Sequence, residues 1–155
     1  MAARPAFDLD SHVFFWLTQL IGARDRRLNQ ALKAFGLRVP EWRALAALHS
    51  RRDCTMSELA DLASIDRTTL TRTVDRMQEA GWLARLSDGV DMRVTRLSLT
   101  AAGERLFARV WPTVAQLNDA AIAGLSAAAV DRLRATLAQM KENLDEEPAA
   151  SERAA

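Results

Sequence analysis

Between Asp66 and Ala80 the chain reads DRTTLTRTVDRMQEA, and its side chains sort by type when set at 100° per residue. Leu70, Val74 and Met77 fall on one stripe, at the i, i+4, i+7 spacing that packs against a core. Thr68 and Arg72 point the opposite way, flanked by Arg67, Thr69, Thr71 and Arg76. Guanidinium groups interleaved with short hydroxyls can donate to phosphate oxygens and base edges while letting a helix approach a groove closely. An ordinary amphipathic helix with a solvated charged face has the same pattern, and Asp75 and Glu79 on that side would repel phosphate. The neighbouring elements must decide between the two.

Immediately upstream, Thr55 followed three residues later by Glu58 is a capping box, and Leu59, Leu62 and Ala63 continue a short helix. A turn at Ser64-Ile65 leads to Asp66, an N-cap for the helix that follows. Two helices joined by a turn of about three residues, the second longer and rich in Arg and Thr, make a helix-turn-helix. Downstream, Gly81 ends the second helix, 82–86 reads as a strand, 87–92 as a polar turn-forming loop, and 93–99 as a returning strand. In that strand Leu97 and Leu99 face inward and Arg96 and Ser98 outward. Such a hairpin is a wing, from which Arg93 and Arg96 could reach the phosphate backbone or the adjacent minor groove.

The flanking segments are helical. From about Asp8 to Phe35, Val13, Leu17, Leu20, Ile21, Leu28, Ala31, Leu32 and Phe35 keep helical spacing over more turns than a small core requires, which points to packing against a partner. Gly36 stops that helix and Pro40 opens a second, shorter one through Trp42, Leu45, Ala46 and Leu48. The stretch 51–54 breaks the pattern. Thr100 caps a helix through Leu106, Val110, Val114, Leu117 and Ile122, with a bend expected at Pro112. Gly124 ends it, Ser126 caps another, and Val130, Leu133, Leu137, Met140 and Leu144 form its apolar stripe. Residues 146–155 are acidic and poor in large apolar groups, so they are expected to fray.

Bulk properties bound these readings. A chain of 155 residues is one domain's worth, with 49% hydrophobic and 26% charged residues. One cysteine excludes an internal disulfide framework and fits a reducing compartment. No apolar run approaches membrane-spanning length and MAARPAFDLD lacks a signal-peptide core, so the expected location is the cytoplasm. The net charge of +1 is no strong nucleic-acid footprint. Its distribution says slightly more, because residues 1–100 carry 15 Lys+Arg against 12 Asp+Glu while 101–155 carry 6 against 8.

With this order of elements the chain resembles the MarR family of winged-helix transcriptional regulators over nearly its full length. The sharpest motifs are SELADLASIDRTTLTRTVDRMQEAGWL at 57–83, Asp91-x-Arg93 in the wing with Leu99-Thr100 downstream, and GLS at 124–126. The resemblance implies a mainly α fold with a small β-hairpin wing, a winged helix-turn-helix lobe at 40–100, and a helical dimerisation region from both termini, 8–36 and 101–145. It implies a two-fold homodimer setting two recognition helices into successive major grooves of double-stranded DNA, ~34 Å apart. Arg67, Thr68, Thr69, Thr71, Arg72 and Arg76 would then be the groove and backbone contacts. Arg93 would be the wing arginine, held in pose by Asp91, and Asp75 matches a position where a carboxylate orients a neighbouring arginine. Val90 stands where many members have a further Arg.

The family's effectors are small aromatic or phenolic acids bound between the dimer base and the DNA-binding lobe. His12 and Trp16, one helical turn apart, and Arg43 beside Trp42 would suit an aromatic carboxylate through a charge-assisted contact plus stacking. The alternative is that the tryptophans are packing and His12 and Arg43 are surface groups. Cys54 is either an ordinary thiol or a redox sensor, though it lacks a second cysteine to resolve it. No cofactor, zinc ligand set, phosphate loop or nucleophile elbow is legible, so no enzyme is expected. The rival from another class is a helical protein interaction module.

Overall fold

The computed structural model describes residues 8–87 and 95–146. Helix α1 spans Val13–Leu32, runs into a 3-10 turn at Lys33–Phe35, and is followed by α2, Val39–Arg51. Strand β1, Asp53–Thr55, precedes α3, Met56–Ala63, and α4, Arg67–Glu79. Strands β2, Leu83–Ser87, and β3, Thr95–Leu99, lead to α5, Ala101–Ile122, and α6, Ala127–Asp145. The winged-helix order expected from the sequence is present.

Local chemistry sets most boundaries. Gly36 takes the left-handed conformation at φ 67°, and its N–H closes the 3-10 turn onto the Lys33 carbonyl. Thr55 and Glu58 form the capping box: Thr55 Oγ1 accepts from Glu58 N, and Glu58 Oε2 accepts from Thr55 N at 2.7 Å. Thr100 joins two elements, donating to the Gly81 carbonyl at 2.6 Å while accepting from Gly103 N at 3.1 Å.

Two boundaries differ from the sequence expectation. Helix α1 begins at Val13 rather than near Asp8, because Asp8 Oδ1 accepts from Asp10 N and Ser11 Oγ donates to the Asp8 carbonyl. Those local side-chain bonds offer the backbone an alternative to the helix. The pattern break at 51–54 contains β1, which pairs antiparallel with β3 to make a three-stranded sheet in the order β1-β3-β2. Its three residues have no period to read, and its partner lies more than 40 positions away. Helix α5 continues through Pro112 to Ile122.

The described residues fall into two units dividing at Leu117/Asn118. In the first, Leu28 and Leu32 of α1, Trp42, Leu45 and Leu48 of α2, Leu59 of α3, Leu70, Val74 and Met77 of α4, Leu97 of β3 and Val110 and Val114 of α5 share one core. A fully buried leucine or valine contributes about 1.5–3 kcal/mol, so the inner stripe of α4 is held firmly in place. In the second unit α6 has no buried residue; Leu133, Leu137 and Leu144 of its apolar stripe are exposed.

Candidate nucleic-acid interface

Helix α4 starts where Asp66, extended at φ −63°, ψ 153°, accepts from Thr69 N at 2.9 Å. The hydrogen bonds from Thr69 hold the Asp66 carboxyl below its usual range, so the cap is charged near neutrality. Leu70, Thr73, Val74 and Met77 are buried, and the Thr73 hydroxyl is satisfied by the Thr69 carbonyl at 2.8 Å. This anchoring leaves Arg67, Thr68, Thr71 and Arg72 exposed and Thr69 half-buried. Among the described residues no ion pair to Arg67 or Arg72 is found. The Thr71 hydroxyl donates back to the Arg67 carbonyl, leaving its oxygen lone pairs outward. The exposed face therefore carries two cationic forks and small acceptors on a rigid helix, which can follow a phosphate ridge and probe base edges.

The remaining expected contacts are engaged elsewhere. Arg76 Nη1 lies 2.9 Å from Glu41 Oε1 of α2, and its Nη2 donates to the Gly36 carbonyl at 3.4 Å. Arg96 Nη1 lies 3.5 Å from Asp53 Oδ1, tying β3 to β1. Asp75 holds Arg85 of β2 at 2.6 Å, so its carboxylate is neutralised by a strand arginine. Arg85 and Arg38 carry no distinguishing sequence signal. Arg85 lacked a readable partner, and Arg38, which shares a cleft of about 210 Å³ with Arg72 and Thr73, sits in a loop with no periodicity. Asp91 and Arg93 lie outside the described residues.

A larger cleft of about 660 Å³ opens between α1, α2 and α3. Ile21, Trp42, Ala46, Ala47, Leu62 and Ala63 supply apolar walls, and Arg24, Arg43 and Arg51 supply charge. Arg43 Nη2 donates to Asp25 Oδ2 at 2.9 Å. Of the three expected ligand residues only Arg43 lines this cleft. The His12–Trp16 pairing rested on helical spacing, which fails because His12 is the non-helical N-cap of α1. Its ring lies 6.1 Å from that of Phe14, while Trp16 packs edge-on against Phe15 and donates its indole N–H to the Asp10 carbonyl at 2.7 Å.

Cys54 is 2% exposed in the sheet. Burial first, then Glu58 and Asp53, push its thiol up to about 11, with Arg96 opposing. A neutral, buried thiol is the reverse of a sensor cysteine, so the redox alternative loses its chemistry. Among the described residues no group of three or more His, Cys, Asp or Glu could hold a metal ion. None of their helices is long and apolar enough to cross a membrane.

Comparison with known proteins agrees with this geometry. A family model described as MarR family matches residues 35–93. The HTH-type transcriptional repressor IacR of Pseudomonas putida is 29% identical over 143 residues, covering 92% of this chain and 86% of that protein. The crystal structure of NadR in complex with 4-hydroxyphenylacetate aligns with a TM-score of 0.79 at 26% identity, over 88% of this chain and 97% of that one. A mutant of MarR from E. coli complexed with operator DNA aligns with a TM-score of 0.74 at 25% identity, over 88% of this chain and 99% of that one.

Proposed function

We propose, starting from a chain that is a MarR-family winged-helix transcriptional repressor, that it binds a pseudo-palindromic operator as a homodimer and leaves it when a small aromatic acid binds. The observation that carries the DNA part is α4 itself, whose apolar stripe is locked in the core while Arg67, Thr68, Thr71 and Arg72 remain outward. In this reading those four, with Thr69 at the helix start, enter the major groove. Arg93, outside the described residues, is the expected wing contact to the backbone or minor groove, and Arg85, fixed by Asp75, supports the near end of that wing. Arg96, turned to Asp53, serves the sheet instead. DNA as the partner also implies a cytoplasmic location.

The dimer part is supported by apolar side chains left uncovered at both ends of the chain. Val13, Phe14, Trp16 and Leu20 of α1 and Leu133, Leu137 and Leu144 of α6 are exposed. Large exposed apolar surface marks an interaction site, and a second copy covers it symmetrically. Trp16 then belongs to that surface rather than to a ligand site.

For the effector, the cleft beside Trp42 offers indole and aliphatic walls with Arg24, Arg43 and Arg51, which suits an aromatic ring carrying a carboxylate. An incoming carboxylate would compete with Asp25 for Arg43. The likeness to NadR, whose solved complex holds 4-hydroxyphenylacetate, supports this class.

The DNA reading is tested by the salt dependence of binding. Affinity for a duplex that the protein enriches from a random library should fall steeply as salt rises, since each phosphate contact releases counterions. No enrichment and a flat salt response would instead favour the interaction-module reading. The effector reading is tested by titrating benzoates, cinnamates and phenylacetates against the preformed DNA complex. Release should occur in the wild type and in Trp16→Phe, and should be weakened in Arg43→Ala.

A further inference from the structure

Glu41 is an anomaly in the helix that holds it. It lies in the first turn of α2, is 2% exposed, and is one of two buried polar residues among those described, lining the cleft that holds Arg38 and Arg72 without being one of the proposed DNA or effector contacts. Its two carboxylate oxygens do different things. Oε2 accepts from Arg38 N at 2.8 Å, closing the start of α2, and Oε1 meets Arg76 Nη1 at 2.9 Å. Arg76 in turn donates from Nη2 to the Gly36 carbonyl, the residue whose left-handed turn precedes α2.

From this geometry we infer that Glu41 is a positioning residue for DNA recognition and that Arg76 is its strut rather than a nucleic-acid contact. The inference rests on α4 being the DNA-reading helix. The apolar stripe of Leu70, Val74 and Met77 fixes how deep α4 sits but is tolerant to small sliding and rotation, because apolar contacts are non-directional. The Arg76 side chain supplies the directional constraint through its Nη2 bond to the Gly36 carbonyl, while its ion pair with Glu41, in which Nη1 lies 2.9 Å from Oε1 without hydrogen-bond alignment, compensates the buried charge. Together these contacts join the third turn of α4 to two backbone points of the 36–38 loop, so the rotation of Arg72, one turn before Arg76, is set from the start of α2. A carboxylate buried without that partner would be uncompensated, so the pair holds as a unit.

Two accounts of these residues predict opposite signs. If Glu41 were only a negative charge near DNA, Glu41→Gln would tighten binding to every sequence. As a positioning residue, its loss lowers affinity for the enriched duplex while leaving a random duplex of equal length almost unaffected. The readout is the ratio of the two affinities, which a partly unfolded sample does not change because both affinities scale with the active fraction.

The experiment measures that ratio, and the salt slope, for wild type, Glu41→Gln, Arg76→Ala, Arg76→Lys and the Glu41→Gln/Arg76→Ala double variant. The expected result is that both single removals lower the ratio about tenfold or more, that the double variant is no worse than either, and that Arg76→Lys, which keeps the charge pair, restores much of it. Additive losses, or a salt slope reduced by about one in Arg76→Ala with an unchanged ratio, would make Arg76 a phosphate contact and overturn the inference. Should Glu41→Gln fail to fold, the comparison of Arg76→Ala with Arg76→Lys decides alone. Failure of the wild type to enrich any sequence would instead count against α4 as a DNA reader.

Discussion

Arg72 and Arg76 lie one turn apart on the same helix, with the same side chain, and the structure gives them different surroundings. Arg72 is exposed beside Thr68, whereas Arg76 is drawn to a buried carboxylate. As a base reader, Arg72→Ala is expected to cost roughly 1–3 kcal/mol on the enriched duplex and to relax preference at one base position. Competition binding against single-base variants of the duplex checks this; equal loss on specific and random DNA would reduce Arg72 to a backbone contact. Cys54 gives a prediction of the opposite kind, an absence of reactivity. With its pKa raised from 9.0 to about 11, it should react slowly with a disulfide reagent at pH 8 until the chain unfolds. The sign for stability follows: the thiol's contribution is complete below pH 9.0 and is lost as pH rises towards about 11, because the unfolded chain ionises first. Chemical denaturation series across that interval measure it, best compared with Cys54→Ser or Cys54→Ala, which lack the titration.

At the level of elements, the contact that joins the wing to α5 is unusually close. A Cβ added at Gly103 would lie 2.2 Å from the Trp82 carbonyl oxygen, a backbone atom that cannot swing aside. Gly103→Ala is therefore expected to destabilise by about 1–3 kcal/mol and to displace the base of the wing, weakening DNA binding beyond the stability loss. A thermal melt and a binding isotherm on the same preparation separate the two effects. Further along, Phe107 of α5 is stacked on His49 at 3.7 Å between ring centroids and lies parallel to Trp42 and Trp111. His49 also reaches Glu104 at 2.7 Å. These pairs fix α2 against α5 in the same unit that carries α4. Trp42, shared by that stack and the proposed effector cleft, is the natural fluorescent reporter of occupancy.

For the whole molecule, one copy presents one recognition helix, and the proposed function needs two at a fixed separation. Replacing Leu133 and Leu137 together by Glu touches only exposed positions of α6, so the fold of each copy should survive while the association is lost. Sedimentation should then show a monomer, with affinity for the enriched duplex reduced about a hundredfold or more because two linked half-site contacts become one. A stable dimer with unchanged affinity would move the interface away from α6. How much of this was visible beforehand depended on distance along the chain. The amphipathic split of α4, the caps at Thr55 and Asp66 and the turn at Gly36 are determined by neighbours within four residues, so the amino-acid order alone specified them. The same holds for the resemblance motif from 57 to 83. Strand β1, the diversion of Arg76 to Glu41 and of Arg96 to Asp53, and the cleft beside Arg43 depend on residues brought together from 18 or more positions apart. Charge type and helical period say which groups can pair, but only packing selects which do, because a guanidinium on a long flexible stem can satisfy itself equally well with phosphate, solvent or a buried carboxylate. The face of α4 is thus a property of sequence, and the aim of that face is a property of the fold.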